Sequence, residues 1–330
     1  MRKCAANGSR SERAPPALAA RCSGLHWRFM ELLRTPDGRF DGLLDFPFAP
    51  HYVDDLPGYE GIRVHYVDTG SGRRGTALCL HGNPTWSYLY RRMIPVFAEA
   101  GLRVVAPDMI GFGRSDKPVE ESAHSFEFHR AMLMRLIERL DLRDVMLVCH
   151  DWGGLLGLTL PCDMPDRFTR LLVMNTALAV GTAPTRGFAE WRTYSNRTPD
   201  LQVGRMMMRG KPDMNPTEAA GYDAPFPDTR YKAALRAFPN LVPESPHAPG
   251  AELSGRASQW WRESWTGRSF MAIGVSDPVL GEESMRPLRS VIRGCPEPMR
   301  LADAGHFVPE WGGSVARAAL AEFDLRGLRH

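Results

Sequence analysis

Three residues far apart in this 330-residue chain have the types needed to break and remake a bond at carbon: Asp151, Asp277 and His306. Asp151 ends an apolar run, Val145-Met-Leu-Val-Cys-His150, and is followed at once by Trp152-Gly-Gly and a second apolar, helix-compatible run to Leu158. A strand, a tight turn and a helix in that order, with small residues at the turn, lift one side chain above the carboxyl end of a sheet. A carboxylate placed there has an ordinary pKa of about 3.9, so it is anionic at neutral pH without a base and suits displacement at a saturated carbon. The same Asp would also serve as N-cap for a helix starting at Trp152, so this stretch alone leaves both readings open.

The other two residues carry bland readings of their own, Asp277 as a turn residue before Pro278 and His306 as a packed loop histidine. Together with Asp151 they run in the order nucleophile, acid, base, each at the end of an expected strand. Displacement by Asp151 makes an ester of its own side chain. Hydrolysing it calls for a water activated by His306, with Asp277 orienting the imidazole and stabilising its charge. The ester oxygen then becomes an oxyanion, and its natural donors are the backbone amides of Trp152 and of Asn83, the latter in the turn His81-Gly-Asn-Pro84. Asn175 and Thr176 close another strand without a carboxylate, which assigns the acid to Asp277. His81 reads as a shaping residue of its turn. His26, His51, His124, His129, His247 and His330 read as surface or packing residues, and His65 within a strand and His150 beside the nucleophile receive no role.

Buried or alternating apolar runs predict strands over 62–68, 76–80, 102–107, from 145 to the elbow, and over 171–175, 269–274 and 299–302. Helices are expected over 88–98, 126–140 and 314–323. Strands alternating with helices imply an α/β fold with a mostly parallel, doubly wound sheet, whose ligands lie beyond the carboxyl ends of the strands. Residues 30–176 and 259–330 read as the two parts of that core. Between them, 177–258 is broken into short Pro- and Met-containing segments and reads as an inserted helical cap. Residues 1–29, rich in Ala, Arg, Ser and Pro and without period, read as a disordered extension.

With 43% hydrophobic and 24% charged residues the composition is that of an ordinary globular protein, and a net charge of +3 is too small to argue for nucleic acid. Six cysteines without CxxC or metal spacing read as free thiols in a reducing compartment, so a cytoplasmic location is expected, with no metal. No run reaches the roughly 20 apolar residues of a membrane span. A monomer is expected.

The leaving group separates the candidate reactions. An epoxide oxygen departs as an alkoxide and needs a proton donor, whereas a halide needs only weak donors in a dry pocket, and the indole N–H of Trp152 is such a donor. The motifs His81-Gly-Asn-Pro-Thr-Trp-Ser-Tyr-Leu-Tyr-Arg91, Gly111-Phe-Gly-Arg-Ser-Asp-Lys-Pro118, Asp151-Trp-Gly-Gly, Ala224-Pro-Phe-Pro-Asp228, Phe270-Met-Ala-Ile-Gly274 and Ala302-Asp-Ala-Gly-His-Phe307 resemble a haloalkane dehalogenase of the α/β-hydrolase superfamily. The resemblance runs from about Leu33 to Phe323 and is to the branch with an Asp-His-Asp triad and two halide-binding tryptophans. It implies Asp151 as nucleophile, Asp277 as acid, His306 as base, Trp152 and Trp191 as halide donors and Phe188 in the pocket wall. It also implies a small apolar halogenated substrate, water and halide as the only partners, and no cofactor. Asn83 departs from the Glu expected in this branch and either offers its backbone amide alone or adds a side-chain donor to the halide. The alternative is an epoxide hydrolase, for which Tyr194, Tyr222 and Tyr231 of the cap are the available proton donors; a protein that only binds a ligand in its capped pocket is a third reading.

Overall fold

Every residue of the run Val145–His150 is buried, as in a strand covered on both faces rather than one at an edge. A computed structural model, which describes residues 30–325, sets it inside an eight-stranded sheet. The extension expected over 1–29 lies outside the described residues. In chain order the strands are β1 (Pro50–Val53), β2 (Val64–Gly70), β3 (Thr76–Leu80), β4 (Arg103–Pro107), β5 (Val145–His150), β6 (Phe168–Met174), β7 (Arg268–Gly274) and β8 (Met299–Leu301). They lie side by side as β1-β2-β4-β3-β5-β6-β7-β8. β2 runs antiparallel to both its neighbours and all other pairs are parallel.

Register decides what the sheet presents at its carboxyl edge. Leu80 pairs with Cys149 and His150 with Met174, so β3, β5 and β6 end together and release His81, Asp151 and Asn175 next to one another. β7 runs two residues further, with Met174 opposite Ala272 and Gly274 as its last residue, and leads to Asp277. Segments as far apart in sequence as Asn83 and Asp151, 68 residues, thus converge on one crevice, the expected ligand position of an open α/β sheet.

The helices are α1 (Ile94–Glu99), α2 (Phe126–Arg139), α3 (Trp152–Gly157), α4 (Arg186–Asn196), α5 (Val203–Gly210), α6 (Pro216–Asp223), α7 (Ala233–Ala237), α8 (Ala251–Glu263), α9 (Glu282–Val291) and α10 (Gly312–Glu322). The single helix expected over 88–98 is instead a 3-10 turn at Ser87–Tyr90 followed by α1. Pro95 explains the break, since it stands in the first turn of α1, where its missing N–H costs no hydrogen bond. Between β6 and β7 only helices and turns occur. α8 runs without interruption through residue 258, so insertion and core share one helix rather than meeting there. Its second half belongs to the core because Trp261 is fully buried, donates to the Leu158 carbonyl at 2.8 Å and packs against Trp265.

The insertion is tied down by buried charge. Arg91 grips both oxygens of Glu310 at 2.6 and 2.9 Å, and reaches the Tyr222 hydroxyl at 3.1 Å and Glu218 at 3.3 Å, both on α6. Such a cluster holds only because each charge is paired inside it.

Candidate active site

Asp151 has φ 51° and ψ −125°, a backbone conformation that side-chain-bearing residues avoid. The surroundings hold it there. Its amide donates to the Asn175 carbonyl at 3.1 Å, and its carbonyl accepts the Gly154 and Leu155 amides at 2.8 and 3.0 Å and the Thr176 hydroxyl at 2.7 Å. Glycine is needed just beyond, because a Cβ on Gly153 would stand 1.9 Å from the Leu80 carbonyl oxygen. The Asp151 side chain makes no capping bond to α3. Its Oδ1 accepts the Asn83 amide at 2.8 Å instead, so the helix-cap reading fails. Gly82 permits that approach, since a Cβ there would lie 2.2 Å from the same oxygen.

His81 shapes this turn as expected. Its Nε2 accepts the Met109 amide at 2.9 Å, which leaves Nδ1–H to donate to the Gly82 carbonyl at 3.0 Å, and burial lowers its pKa and keeps it neutral.

His306 stands between the two carboxylates. Its Nδ1 lies 2.8 Å from Asp277 Oδ2, and its Nε2 is 3.6 Å from Asp151 Oδ2. Asp277 satisfies both of its bland and chemical readings at once: Oδ1 accepts the Val279 amide at 2.8 Å and builds the turn, while Oδ2 faces His306 and receives the Asn175 side-chain amide at 2.8 Å. Burial opposes charge throughout this cluster, but the ions stabilise one another. The field and the hydrogen bond of Asp277, together with the nearby charge of Asp151, outweigh burial and hold His306 up at about 10. Against the same burial, His306 and then Asn175 keep Asp277 well below the usual carboxylate range. Asp151 is likewise lowered against burial, chiefly by His306 and also by the amide of Trp152. The two carboxylates thus favour the charged form of the imidazole between them.

A cavity of about 430 Å³ opens above Asp151, walled by Trp152, Leu155, the segment 177–180, Phe188 and α9. Trp152 is buried against Phe238, with ring centroids 4.7 Å apart, and its indole N–H has no hydrogen-bond partner among the described residues. The Asn83 side chain is nearly free: its Nδ2 reaches the Leu235 carbonyl at 3.5 Å, the limit of a bond, and its buried Oδ1 has no partner. α4 brings Phe188 into the wall, but Trp191, one turn later, is half-buried, is not part of that wall and has its ring 6.1 Å from Tyr194. Among the described residues no tyrosine lines the cavity. Tyr222 is buried in the Arg91 cluster with its hydroxyl on Glu310, and Tyr194 is exposed.

Asn175 is the residue that reading the sequence missed, because it was weighed only as a strand end without a carboxylate. His124 and His129 are packing residues as expected, buried, with stacked rings bonded to each other at 3.0 Å. His26 and His330 lie outside the described residues. No group of three or more His, Cys, Asp and Glu side chains is placed to hold a metal ion, and no helix is long and apolar enough to cross a membrane, among the described residues.

Comparison with known proteins bears on the fold and the family. A family model of the alpha/beta hydrolase fold matches residues 77–313. The chain is 40% identical over 300 residues to a haloalkane dehalogenase of Psychrobacter cryohalolentis, spanning 89% of this chain and 98% of that protein. It is 43% identical over 293 residues to a haloalkane dehalogenase of Mycobacterium marinum, spanning 86% and 96%. The solved tetrameric structure of haloalkane dehalogenase DpaA from Paraglaciecola agarilytica NO2 superposes with a TM-score of 0.87 at 50% identity, covering 88% of this chain and 98% of the other.

Proposed function

The chain belongs to the haloalkane dehalogenase family within the α/β-hydrolase fold, and on that premise we propose that Asp151, His306 and Asp277 divide between them the replacement of a halogen on carbon by a hydroxyl group. The enzyme hydrolyses a carbon–halogen bond, and a haloalkane and water give an alcohol, a halide and a proton.

In the first step Asp151 Oδ2, the oxygen not bound by the Asn83 amide, attacks the carbon bearing the halogen. A C–O bond forms, the C–halogen bond breaks, and its electron pair leaves with the halide. The indole N–H of Trp152 receives that ion, and the side chain of either Asn83 or Trp191 is the second donor. In the second step His306 Nε2 takes a proton from water, whose oxygen attacks Cγ of the Asp151 ester. The resulting oxyanion forms on Oδ1, already 2.8 Å from the Asn83 amide, with the Trp152 amide as second donor. The oxyanion then collapses and the Cγ–O bond to the alkyl group breaks, the departing oxygen takes the proton from His306 and leaves as the alcohol, and loss of the remaining proton to water restores the Asp151 carboxylate.

One observation carries this reading: a single carboxylate has one oxygen in an amide donor site and the other 3.6 Å from an imidazole that is itself held by Asp277. The charges also support the order of steps. Alkylation neutralises Asp151 and removes one of the two anions that keep His306 protonated, so the ester itself prepares the base. His306→Ala tests it. After exposure to bromobutane, mass spectrometry is expected to show one butyl adduct on the Asp151 peptide, and an unmodified peptide would sink the two-step scheme. Epoxide hydrolysis is disfavoured because the cavity wall offers no tyrosine; a halide-release panel with styrene oxide as control separates the two activities.

The helical insertion over 177–258 acts as a cap, since the cavity lies between Asp151 and its first segment. Unpaired Cys79, Cys149, Cys162 and Cys295 accord with a reducing compartment such as the cytoplasm. A monomer was expected, whereas the DpaA relative is described as tetrameric; light scattering decides between the two for this chain.

A further inference from the structure

His150 is buried beside the triad, and the reaction above gives it no part. Its Nε2 lies 2.8 Å from the carbonyl oxygen of His306, and the two rings are 4.7 Å apart. A carbonyl only accepts, so Nε2 carries the hydrogen and donates it. Nδ1 is then the bare nitrogen, buried and without a partner. Burial pushes the pKa of this imidazole down to about 4, so it stays neutral and keeps that tautomer at neutral pH.

Asp277 restrains His306 only at Nδ1, and a ring held at one nitrogen can still pivot and carry Nε2 toward or away from the nucleophile. The loop that bears His306 is tied on its other side to the segment after β7, where the Ser276 amide and hydroxyl donate to the Ala304 and Ala302 carbonyls at 3.0 and 3.2 Å. The Val308 amide donates to the same His306 carbonyl at 2.9 Å, but it belongs to the same segment and moves with it. His150 is different. It is the last residue of β5, directly before Asp151, so its bond ties the backbone of the base to the strand of the nucleophile. The gap it spans matters chemically. At 3.6 Å the imidazole and the carboxylate are too far apart for a good hydrogen bond, which leaves the base free to address a water attacking Cγ.

We infer that His150 is a positioning residue for ester hydrolysis, setting through its Nε2–H bond to the His306 carbonyl the separation between base and nucleophile. The inference rests on the two-step reading of Asp151 and His306 given above. Alkylation needs only Asp151 and the bound substrate, so the role is specific to the second step.

Rapid-quench kinetics with bromobutane test it on the native enzyme, His150→Phe, His150→Met and His150→Gln, with His306→Ala as control. Bromide release reports alkylation, and the mass of the Asp151 peptide reports the ester. Without the donor, in the Phe and Met variants, ester hydrolysis is expected to slow by about 10- to 100-fold, the range for a displacement of about 1 Å, with the ester accumulating and the bromide burst changing far less. The Gln variant carries an N–H at similar reach and is expected to recover most of the rate. Melting curves identify any variant that fails to fold, and Met serves if Phe does not fit. Equal slowing of both steps, hydrolysis unchanged in Phe and Met, or a Gln variant no better than either would overturn the inference. Absence of ester in His306→Ala would instead overturn the two-step reading beneath it.

Discussion

Asn175 holds Asp277 in place: its side-chain amide donates to Asp277 Oδ2 at 2.8 Å and to the Gly274 carbonyl at 3.2 Å, while its oxygen accepts the Gly274 amide at 2.9 Å. The end of β6 thereby fixes the acid that follows β7. A neutral amide suits this position, because it can donate to the carboxylate without adding a second charge that would compete with His306.

Removing that donor should therefore weaken the acid's grip on the base. Asn175→Ala is expected to lower the rate of ester hydrolysis by about tenfold, the value of one hydrogen bond to a charged group. Asn175→Asp, which sets carboxylate against carboxylate, should cost more. Single-turnover decay of the Asp151 ester measures both, and an alanine variant with native decay would remove Asn175 from the site.

The two steps should respond differently to pH. Asp151 has a lowered pKa, so alkylation is expected to be flat between about pH 5 and 9. Ester hydrolysis needs neutral His306 and should rise with pH, with a midpoint below the resting value of about 10 because the ester lacks the charge of Asp151. Stability follows the opposite sign for this residue. A raised histidine pKa stabilises the fold fully below its ordinary value of 6.5, and that contribution is lost as pH rises through about 10. The depressed Asp151 and Asp277 contribute above their ordinary value of 3.8 and lose it in acid. Stopped-flow traces of each step across pH check the rates; hydrolysis that slows as pH rises would contradict the role of His306 as base.

Halide affinity should rank the donors. Trp152→Phe is expected to weaken bromide binding by about 10- to 100-fold, as for loss of one charged hydrogen bond. Asn83→Ala and Trp191→Phe then decide which side chain is the second donor, since the first bonds Asp151 through its backbone amide and neither side chain is part of the cavity wall. Bromide inhibition constants provide the measure, and a Trp152 variant that binds bromide as well as the native enzyme would count against the halide site.

Two glycines should behave in opposite ways. Gly153→Ala forces a methyl to within 1.9 Å of the Leu80 carbonyl, where only backbone can yield, and is expected to cost about 1–3 kcal/mol or to prevent folding. Gly255 on α8 is exposed with open space around it, and Ala there is expected to stabilise by about 0.5–1 kcal/mol. Denaturant unfolding of both variants checks the pair.

Much of this arrangement could be read before folding. Strands such as Thr76–Leu80 and Val145–His150 are continuous apolar runs, and their boundaries were legible to within a few residues because burial on both faces leaves no polar position inside them. The expected helix over 88–98 was the exception, because helical spacing hides a restart at Pro95. Asp151, Asp277 and His306 stood out as candidates through their order, since each strand end exposes a few residues and only one set had the right chemistry.

What the sequence by itself determined was thus the fold and the class of reaction, and it marked Asp151, Asp277, His306 and Trp152 as the candidates for the chemistry, because each of them stands next to a strand end or a turn. The tertiary structure alone decided which Asp151 oxygen sits in the donor site, that Asn175 and His150 hold acid and base, and that α4 delivers Phe188 rather than Trp191 to the cavity wall. The physical reason is reach. Asn175 and Asp277 are 102 residues apart, His150 and His306 are 156 apart, and bonds across such separations are set by strand register and by how the insertion packs, neither of which leaves a local pattern in the chain.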